Sequence, residues 1–214
     1  MLETMKAAIF DMDGTLLDSM PAWRRLNVEF VRSLGVEPTA EQEKELFSLS
    51  GIKTIGYFKE KFGIESSFEE LFVRAREAMI PVYSAGVPFK PGAREYVRTL
   101  HARGVKCVVA TASPALLALT ALNTVGMVCD LDYIYSMEMI GVGKHDPAFF
   151  DKLCALIEEK PEDCVMFEDS LYAMQGARSA GLGVIGITDS TNVPDREAIY
   201  AICDRVIDSY DELA

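Results

Sequence analysis

Short apolar runs alternate with amphipathic stretches along most of this chain. The first run, Ala7-Ala8-Ile9-Phe10, is too short for a helix and ends at a glycine turn, so it predicts a buried strand. From Pro88 onward, further apolar runs of strand length are separated by helical stretches of roughly ten to fifteen residues. Strands that alternate with helices in this way predict an α/β fold with a parallel, doubly wound sheet.

Boundaries for these elements follow from proline, glycine and the apolar runs. Helices are predicted to open at Pro91-Gly92, after Pro114, after Pro147 and at Leu171. Strands are predicted at Lys106 to Ala110, Tyr133 to Tyr135, Cys164 to Phe167 and Val184 to Ile187.

Residues 17–87 have a helical period and no strand-like alternation. Thr39-x-x-Gln42 and Ser67-x-x-Glu70 look like capping boxes at the starts of two helices. We therefore expect a bundle of about four helices inserted after the first strand. Residues 1–16 and 88–214 would form the core and residues 17–87 a helical cap, with Trp23 interpreted as cap core and not as part of a binding site.

Composition narrows the classes of partner. Half of the 214 residues are hydrophobic, and the formal net charge is −12. That charge argues against nucleic acid or an anionic membrane as a partner, because both recruit cationic patches. An anionic substrate would have to be attracted by local charge, such as a metal ion or a single lysine.

Cysteine usage and the N-terminus predict a cytoplasmic protein. The five cysteines are odd in number, and no two have CxxC spacing. Residues 1–6 have neither a basic region nor a long apolar region, so they do not predict a signal peptide. The most apolar long window, Val105 to Leu122, contains Lys106 and Pro114, and parses as a strand plus a helix.

Two carboxylates follow the first strand. Asp11 and Asp13 are two residues apart, so on extended chain they point the same way, at the strand end where open α/β sheets place ligands. Carboxylates so close repel unless a cation lies between them or one is protonated. An ionised carboxylate can be a nucleophile or Mg²⁺ ligand and a protonated one a general acid. A solvated pair in a turn is the alternative.

Three other predicted strands also end in polar residues. Thr111-Ala112-Ser113 offers a hydroxyl and N–H groups that could cradle an anion, Gly143-Lys144 offers a cation, and Glu168-Asp169-Ser170 offers two acids. Each has an ordinary alternative: a cap, a solvated loop charge and an acidic first helical turn. Their joint occurrence at strand ends favours a common site.

These motifs occur in the order of the four motifs of the haloacid dehalogenase (HAD) superfamily. Asp11-Met12-Asp13-Gly14-Thr15, the strand ending in Thr111, Gly143-Lys144 and Phe167-Glu168-Asp169-Ser170 carry the resemblance, which extends over essentially the whole chain. The chain resembles most closely the branch that contains β-phosphoglucomutase and small-metabolite phosphatases. The resemblance implies a Rossmann-like core with an inserted helical cap.

The resemblance also implies roles for these residues. Asp11 would attack phosphorus and form an aspartyl-phosphate, and Asp13 would act as general acid and then as general base. Mg²⁺ would be held by Asp11, the backbone carbonyl of Asp13 and Asp169, with Glu168 close by or acting through water. Thr111, Ala112, Ser113 and Lys144 would hold the phosphoryl oxygens, and Thr15 would support the site by orienting the acid/base.

Several positions depart from the patterns of related enzymes. The third motif reads Gly143-Lys144-His145-Asp146-Pro147, and His145 is either a substrate contact or merely exposed. The mutase's cap histidine corresponds to Trp23, and its distal-phosphate arginine would align near Gly51, with Lys53 the nearest cation. Both departures disfavour a mutase.

Other chemistries are disfavoured by single features. Asp13 argues against dehalogenation, and residues 17–43 lack the lysine that phosphonate hydrolysis would need. Gly181-x-Gly183-x-x-Gly186 precedes and enters a strand, so it does not fit a dinucleotide fingerprint. The chain has only two histidines, so the sequence gives little support for a hydrolase with a Ser-His-Asp triad.

The sequence thus predicts a Mg²⁺-dependent phosphomonoester hydrolase of a small phosphorylated metabolite, a sugar or polyol phosphate by family analogy. Cap loops around Ser48 to Thr54 would select the substrate while the cap closes to exclude water. A phosphomutase is the first alternative, and a non-catalytic binding or regulatory protein the second. Either a monomer or a homodimer is compatible with the pattern.

Overall fold

The computed structural model describes residues 2–49 and 52–213. The strands are β1 Ala7–Phe10, β2 Lys106–Thr111, β3 Tyr133–Ser136, β4 Cys164–Glu168, β5 Gly183–Ile187 and β6 Arg205–Ile207. They form one parallel sheet in the order β3-β2-β1-β4-β5-β6, which confirms the predicted fold class. The order of the strands reverses at β1, because β2 and β3 follow on one side of it and β4, β5 and β6 on the other. In open parallel sheets such a reversal places a ligand site beside the strand where it occurs.

The side chains of β1 alternate between two hydrophobic clusters, one on each face of the sheet. Ala8 and Phe10 belong to a cluster with Phe167, whereas Ala7 and Ile9 belong to a cluster with Met166. All four residues of β1 are fully buried, as expected for the central strand of a parallel sheet covered on both faces. This explains why the strand reads as an unbroken apolar run in the sequence.

Helices cover both faces and form the inserted segment. The inserted helices are α1 Met20–Ser33, α2 Ala40–Ser48, α3 Ile52–Phe62, α4 Phe68–Ala78 and α5 Ile80–Ala85. The later helices are α6 Ala93–Ala102, α7 Ala115–Thr124, α8 Met137–Ile140, α9 Pro147–Leu156, α10 Leu171–Ser179 and α11 Arg196–Ile202. Helices α6 and α7 pack on one sheet face, while α9, α10 and α11 pack on the other.

The inserted helices have a hydrophobic cluster of their own, which includes Phe30, Leu46, Phe58 and Leu71. One of the two predicted capping boxes is complete, that of Thr39 with Gln42. At the other, the Ser67 hydroxyl accepts from the Glu70 N–H, which is one of the two bonds of a capping box. Two inserted helices also reach the cluster of the sheet, since Leu26 of α1 and Tyr83 of α5 belong to it. Trp23 packs against that cluster as well, and not against the cluster of the insertion where it was expected. The division at residues 17–87 stays a prediction.

Some elements depart from the sequence prediction. Helices α8 and α11 and strand β6 were not predicted, because the helices are short and β6 begins with the exposed Arg205 and spans three residues. The glycine-rich stretch near Gly183 enters β5, as its pattern indicated. Of the predicted substrate-selecting segment Ser48 to Thr54, Ser48 ends α2 and Ile52 begins α3. Ser50, Gly51 and the Lys53 side chain lie outside the described residues. No helix in the described part of the chain is long and apolar enough to span a membrane.

Candidate active site

Asp11 lies directly beyond the carboxyl end of the central strand. Its backbone N–H donates to the Phe167 carbonyl at 2.9 Å, which continues the β1–β4 ladder past the last strand residue. Asp11 as a whole is only 5% exposed. The adjacent ends of β2 and β4 flank it, so the predicted convergence of the strand ends is present at this edge of the sheet.

A tight turn after Asp11 brings the following residues back over the site. The N–H groups of Leu16 and Leu17 both donate to the Met12 carbonyl, and Gly14 has a φ of +81°. A Cβ at Gly14 would lie 2.4 Å from Oδ2 of Asp169. This position therefore requires glycine both for its backbone conformation and for the close approach of Asp169.

Lys144 supplies the positive charge beside Asp11. Its Nζ donates to Asp11 Oδ1 at 2.5 Å, to Glu168 Oε2 at 2.7 Å and to the Ala110 carbonyl at 3.3 Å. These acceptors use all three ammonium donors. Gly176 of α10 allows this helix to approach the lysine backbone, because a Cβ there would lie 2.1 Å from the Lys144 carbonyl oxygen.

Three carboxylates form a cluster at this site, two of which contact Lys144. Asp11, Glu168 and Asp169 are all buried, and each has a carboxylate oxygen within 4.8 Å of those of the other two. Burial, and then the charge of Glu168, raise the pKa of Asp11 to about 8. Burial, followed by Glu168 and Asp11, also raises the pKa of Asp169 well above its ordinary value. Burial opposes the charge of Lys144, but Asp11 and Glu168 outweigh it and raise the pKa of the lysine.

The cluster suits a divalent cation. When all three buried carboxylates are ionised, their charge exceeds that of the single ammonium, and carboxylate oxygens are the ligands that Mg²⁺ prefers. Glu168 is the most fully engaged of the three. Its Oε2 accepts from Lys144, while its Oε1 accepts from the N–H groups of Asp169 and Ser170. Asp11 and Asp169 therefore have more free acceptor capacity toward a cation than Glu168 has.

Asp169 is held from two sides. The Thr15 hydroxyl donates to Asp169 Oδ1 at 3.3 Å, and the Asn192 side chain donates to the Asp169 carbonyl at 3.0 Å. The expectation had this fully buried hydroxyl orient Asp13, whereas the hydrogen bond that the structure shows is to Asp169. The reason is the tight turn at Gly14, which carries the Thr15 side chain toward the acidic cluster.

Asp13 accepts hydrogen bonds from three hydroxyl groups. Ser19 and Tyr83 donate to its Oδ1, each at 2.6 Å, and Ser113 donates to its Oδ2 at 2.8 Å. Burial, and then the neighbouring Asp13, raise the pKa of Tyr83 well above its ordinary value, although hydrogen bonds from Trp23 and Ser113 act in the opposite direction. The Tyr83 hydroxyl therefore keeps its proton at neutral pH and donates a hydrogen bond to Asp13.

Some polar groups of the predicted anion-binding segment after β2 form hydrogen bonds to other groups of the protein. The Thr111 side chain is buried and its hydroxyl accepts from the Ser113 N–H at 3.0 Å. The expected phosphate donor Ser113 thus has its N–H on Thr111 and its hydroxyl on Asp13. Ala112 lies between them at the same strand end, and His145 beside Lys144 is exposed.

Sequence reasoning missed Ser19, Tyr83 and Asn192 as parts of this site. Ser19 precedes the first inserted helix and has a residue type common at such starts, which is a weak local signal. Tyr83 is 70 positions from Asp13, and Asn192 is 23 positions from Asp169. Nothing local in the sequence indicates those two contacts.

Comparison with known proteins identifies the family of this chain. A family model for haloacid dehalogenase-like hydrolases matches residues 5–181, which contain all four motifs. The chain belongs to this family. The match confirms the expected hydrolase class and the resemblance on which the predicted roles depend.

Relatives of this HAD-family chain include named phosphatases. It is 28% identical over 189 residues to a phosphorylated carbohydrates phosphatase of Thermotoga maritima, covering 88% of each chain. It is also 28% identical over 214 residues to hexitol phosphatase B of Escherichia coli, covering 97% of this chain and 93% of that protein. The solved structure of CbbY from Rhodobacter sphaeroides with phosphate shares the fold, with a TM-score of 0.83, 24% identity and coverage of 98% and 96%.

Proposed function

We propose that this HAD-family enzyme is a phosphatase that hydrolyses a small phosphorylated metabolite through an aspartyl-phosphate on Asp11. The observation that carries the proposal is the pairing of two unlike carboxylates two residues apart. Asp11 is buried against Lys144, whereas Asp13 is half-buried and held by hydroxyl groups. Such different surroundings suit a nucleophile and a general acid/base, respectively.

The proposal includes Mg²⁺, for which the acidic cluster is chemically suited. Asp11, the backbone carbonyl of Asp13 and Asp169 would hold the ion, with Glu168 close by. When bound, Mg²⁺ supplies positive charge that offsets the carboxylates and the charge of the transferring phosphoryl group.

The side chains of this chain would divide the remaining work. Asp11 forms a bond to phosphorus while the bond from phosphorus to the substrate oxygen breaks, and Asp13 gives that oxygen a proton. Water then attacks phosphorus, the bond to Asp11 breaks, and Asp13 takes the proton of the water. Substrate oxygen thus leaves as an alcohol, phosphate is released, and both carboxyl groups return to their starting states.

Lys144 is suited to hold a phosphoryl oxygen beside Asp11, together with Thr111, Ala112 and Ser113 from the end of β2. All three donors of Lys144 are engaged, and the contact with the Ala110 carbonyl is the longest at 3.3 Å. A phosphoryl oxygen would take the place of this acceptor at the least cost. Donors placed where charge develops contribute on the order of a hundredfold in rate each.

A sugar or polyol phosphate is the proposed substrate class. The support is the naming of the relatives from Thermotoga maritima and Escherichia coli, which act on phosphorylated carbohydrates and hexitol phosphates. Substrate selection by the cap around residues 48–54 and closure of the cap over the site belong to the same proposal.

The test is phosphate release from a panel of sugar, polyol and other metabolite phosphates, with Mg²⁺ and with EDTA. We expect release from a few sugar or polyol phosphates, lost in EDTA and in Asp11→Asn. Asp163→Asn, which alters a carboxylate in an exposed pair with Lys6, is the matched control and should keep full activity. Release that persists in Asp11→Asn would contradict the proposal, and product that retains the phosphoryl group would establish the mutase alternative.

A further inference from the structure

The hydrogen bonds on Asp13 distinguish its two oxygens. Oδ1 accepts from both Ser19 and Tyr83, whereas Oδ2 accepts only from Ser113. A carboxylate oxygen offers about two lone-pair positions, so Oδ1 is filled and Oδ2 keeps one position open. The open position on Oδ2 is where Asp13 can carry a proton.

Tyr83 is the donor with a large aromatic side chain packed in the core. Its side chain is fully buried within the hydrophobic cluster that packs against the sheet. Aromatic side chains in a packed core have little rotational freedom, and a buried phenol hydroxyl requires a partner. Its hydroxyl therefore gives Asp13 Oδ1 a fixed reference point on the protein.

We propose that Tyr83 is a positioning residue that holds Asp13 through Oδ1, so that Oδ2 is the atom that gives and takes the proton. The inference rests on the proposed function, in which Asp13 is the acid/base. Tyr83 itself exchanges no proton with substrate. A purely structural bond, in which Asp13 only satisfies a buried hydroxyl, is the competing explanation.

Leaving-group dependence separates the two explanations. An alkyl phosphate needs a proton on its departing oxygen, whereas the phenolate from p-nitrophenyl phosphate departs with little help. The ratio kcat/KM reports the steps up to departure of the first product, so it isolates the acid role of Asp13 from its later base role. A purely structural defect lowers kcat/KM for both esters alike.

The experiment measures kcat/KM of the Mg²⁺-loaded enzyme with a hexitol phosphate and with p-nitrophenyl phosphate. For Tyr83→Phe we expect a loss of roughly tenfold with the alkyl ester and little change with the aryl ester. In an Asp13→Asn background, Tyr83→Phe should cause no further loss, because the two residues act as one unit. Ser19→Ala removes the other donor to Oδ1 and should likewise lower kcat/KM for the alkyl ester only. This second variant tests the inference if the Tyr83→Phe protein fails to fold.

The matched control is Tyr210→Phe. Tyr210 is also a fully buried tyrosine, but its hydroxyl has no hydrogen-bond partner among the described residues. This variant should keep both kcat/KM values. An equal loss with both esters in Tyr83→Phe, or no loss with either, would overturn the inference while leaving the proposed function intact. Full activity of Asp13→Asn, or no turnover by the wild type, would overturn the proposed function and the inference together.

Discussion

Replacing Asp11 by asparagine should stabilise the metal-free protein while it abolishes activity. The side chain keeps its shape, and the amide oxygen can still accept from Lys144. Asparagine does not titrate, so the variant avoids the free-energy cost of protonating a buried carboxylate when the protein folds at neutral pH. In the folded protein the pKa of Asp11 is about 8, against an ordinary value of 3.8, chiefly because of burial and then because of Glu168.

The magnitude follows from proton linkage. A carboxylate whose folded pKa is raised contributes stability that is present at low pH and is lost as the pH rises from the unfolded to the folded pKa. As the pH rises from 3.8 to about 7.5, this group lowers the free energy of unfolding of the wild type by about 5 kcal/mol, since each pH unit corresponds to about 1.4 kcal/mol. At about pH 5 the same calculation gives between about 1 and 2 kcal/mol. Asp11→Asn has no such loss, so its advantage should grow with pH.

The assay is urea unfolding of both proteins in EDTA at about pH 5 and about pH 7.5. The midpoints are compared only after the dependence of unfolding free energy on urea concentration is shown to be equal for the two proteins. Asp163→Asn is again the control, and its exposed ion pair should be worth less than about 1 kcal/mol at either pH. Asp11→Asn no more stable than the wild type at the higher pH would refute the reasoning. It would mean that Lys144 fully compensates the charge of Asp11.

Three further outcomes follow from individual contacts. Gly14→Ala should cost about 1 to 2 kcal/mol of unfolding free energy from its backbone conformation alone, and should also lower Mg²⁺-dependent activity by displacing Asp169, both measurable on one preparation. Lys90→Met should cost about 3 to 5 kcal/mol in urea unfolding, because it leaves Asp189 buried without its ion-pair partner at 2.6 Å; an unchanged midpoint would contradict this. Mg²⁺ should raise the Tm of the wild type, because a ligand that binds the folded state stabilises it, but it should not raise the Tm of Asp169→Asn. Equal Tm shifts in the two proteins would exclude Asp169 as a ligand.

The sequence predicts the parts of this molecule that depend on local pattern. The run Ala7-Ala8-Ile9-Phe10 indicates a central strand because a parallel sheet buries both of its faces, and Asp11 then falls at the sheet edge by simple geometry. The capping box at Thr39 is likewise confirmed, because it involves residues only three positions apart. The motif order also led to the correct family.

Contacts between distant positions could not be predicted in the same way. The donation from Tyr83 to Asp13 depends on how α5 packs against the sheet, and the ion pair of Lys90 with Asp189 joins positions 99 apart. The partner of Thr15 depended on the turn at Gly14, which a motif alone does not specify. Strand β6 was missed because its three residues have too short a pattern to distinguish it from loop.

The central claim is that Asp11 carries the phosphoryl group, and the Asp13→Asn variant tests it most directly. With p-nitrophenyl phosphate this variant should still transfer the phosphoryl group to Asp11, but the missing base should slow its hydrolysis. We therefore predict a burst of nitrophenolate stoichiometric with enzyme, and a phosphoryl group that peptide mass spectrometry locates on residue 11. A phosphoryl group on another residue, or steady phosphate release without any covalent species, would contradict the account.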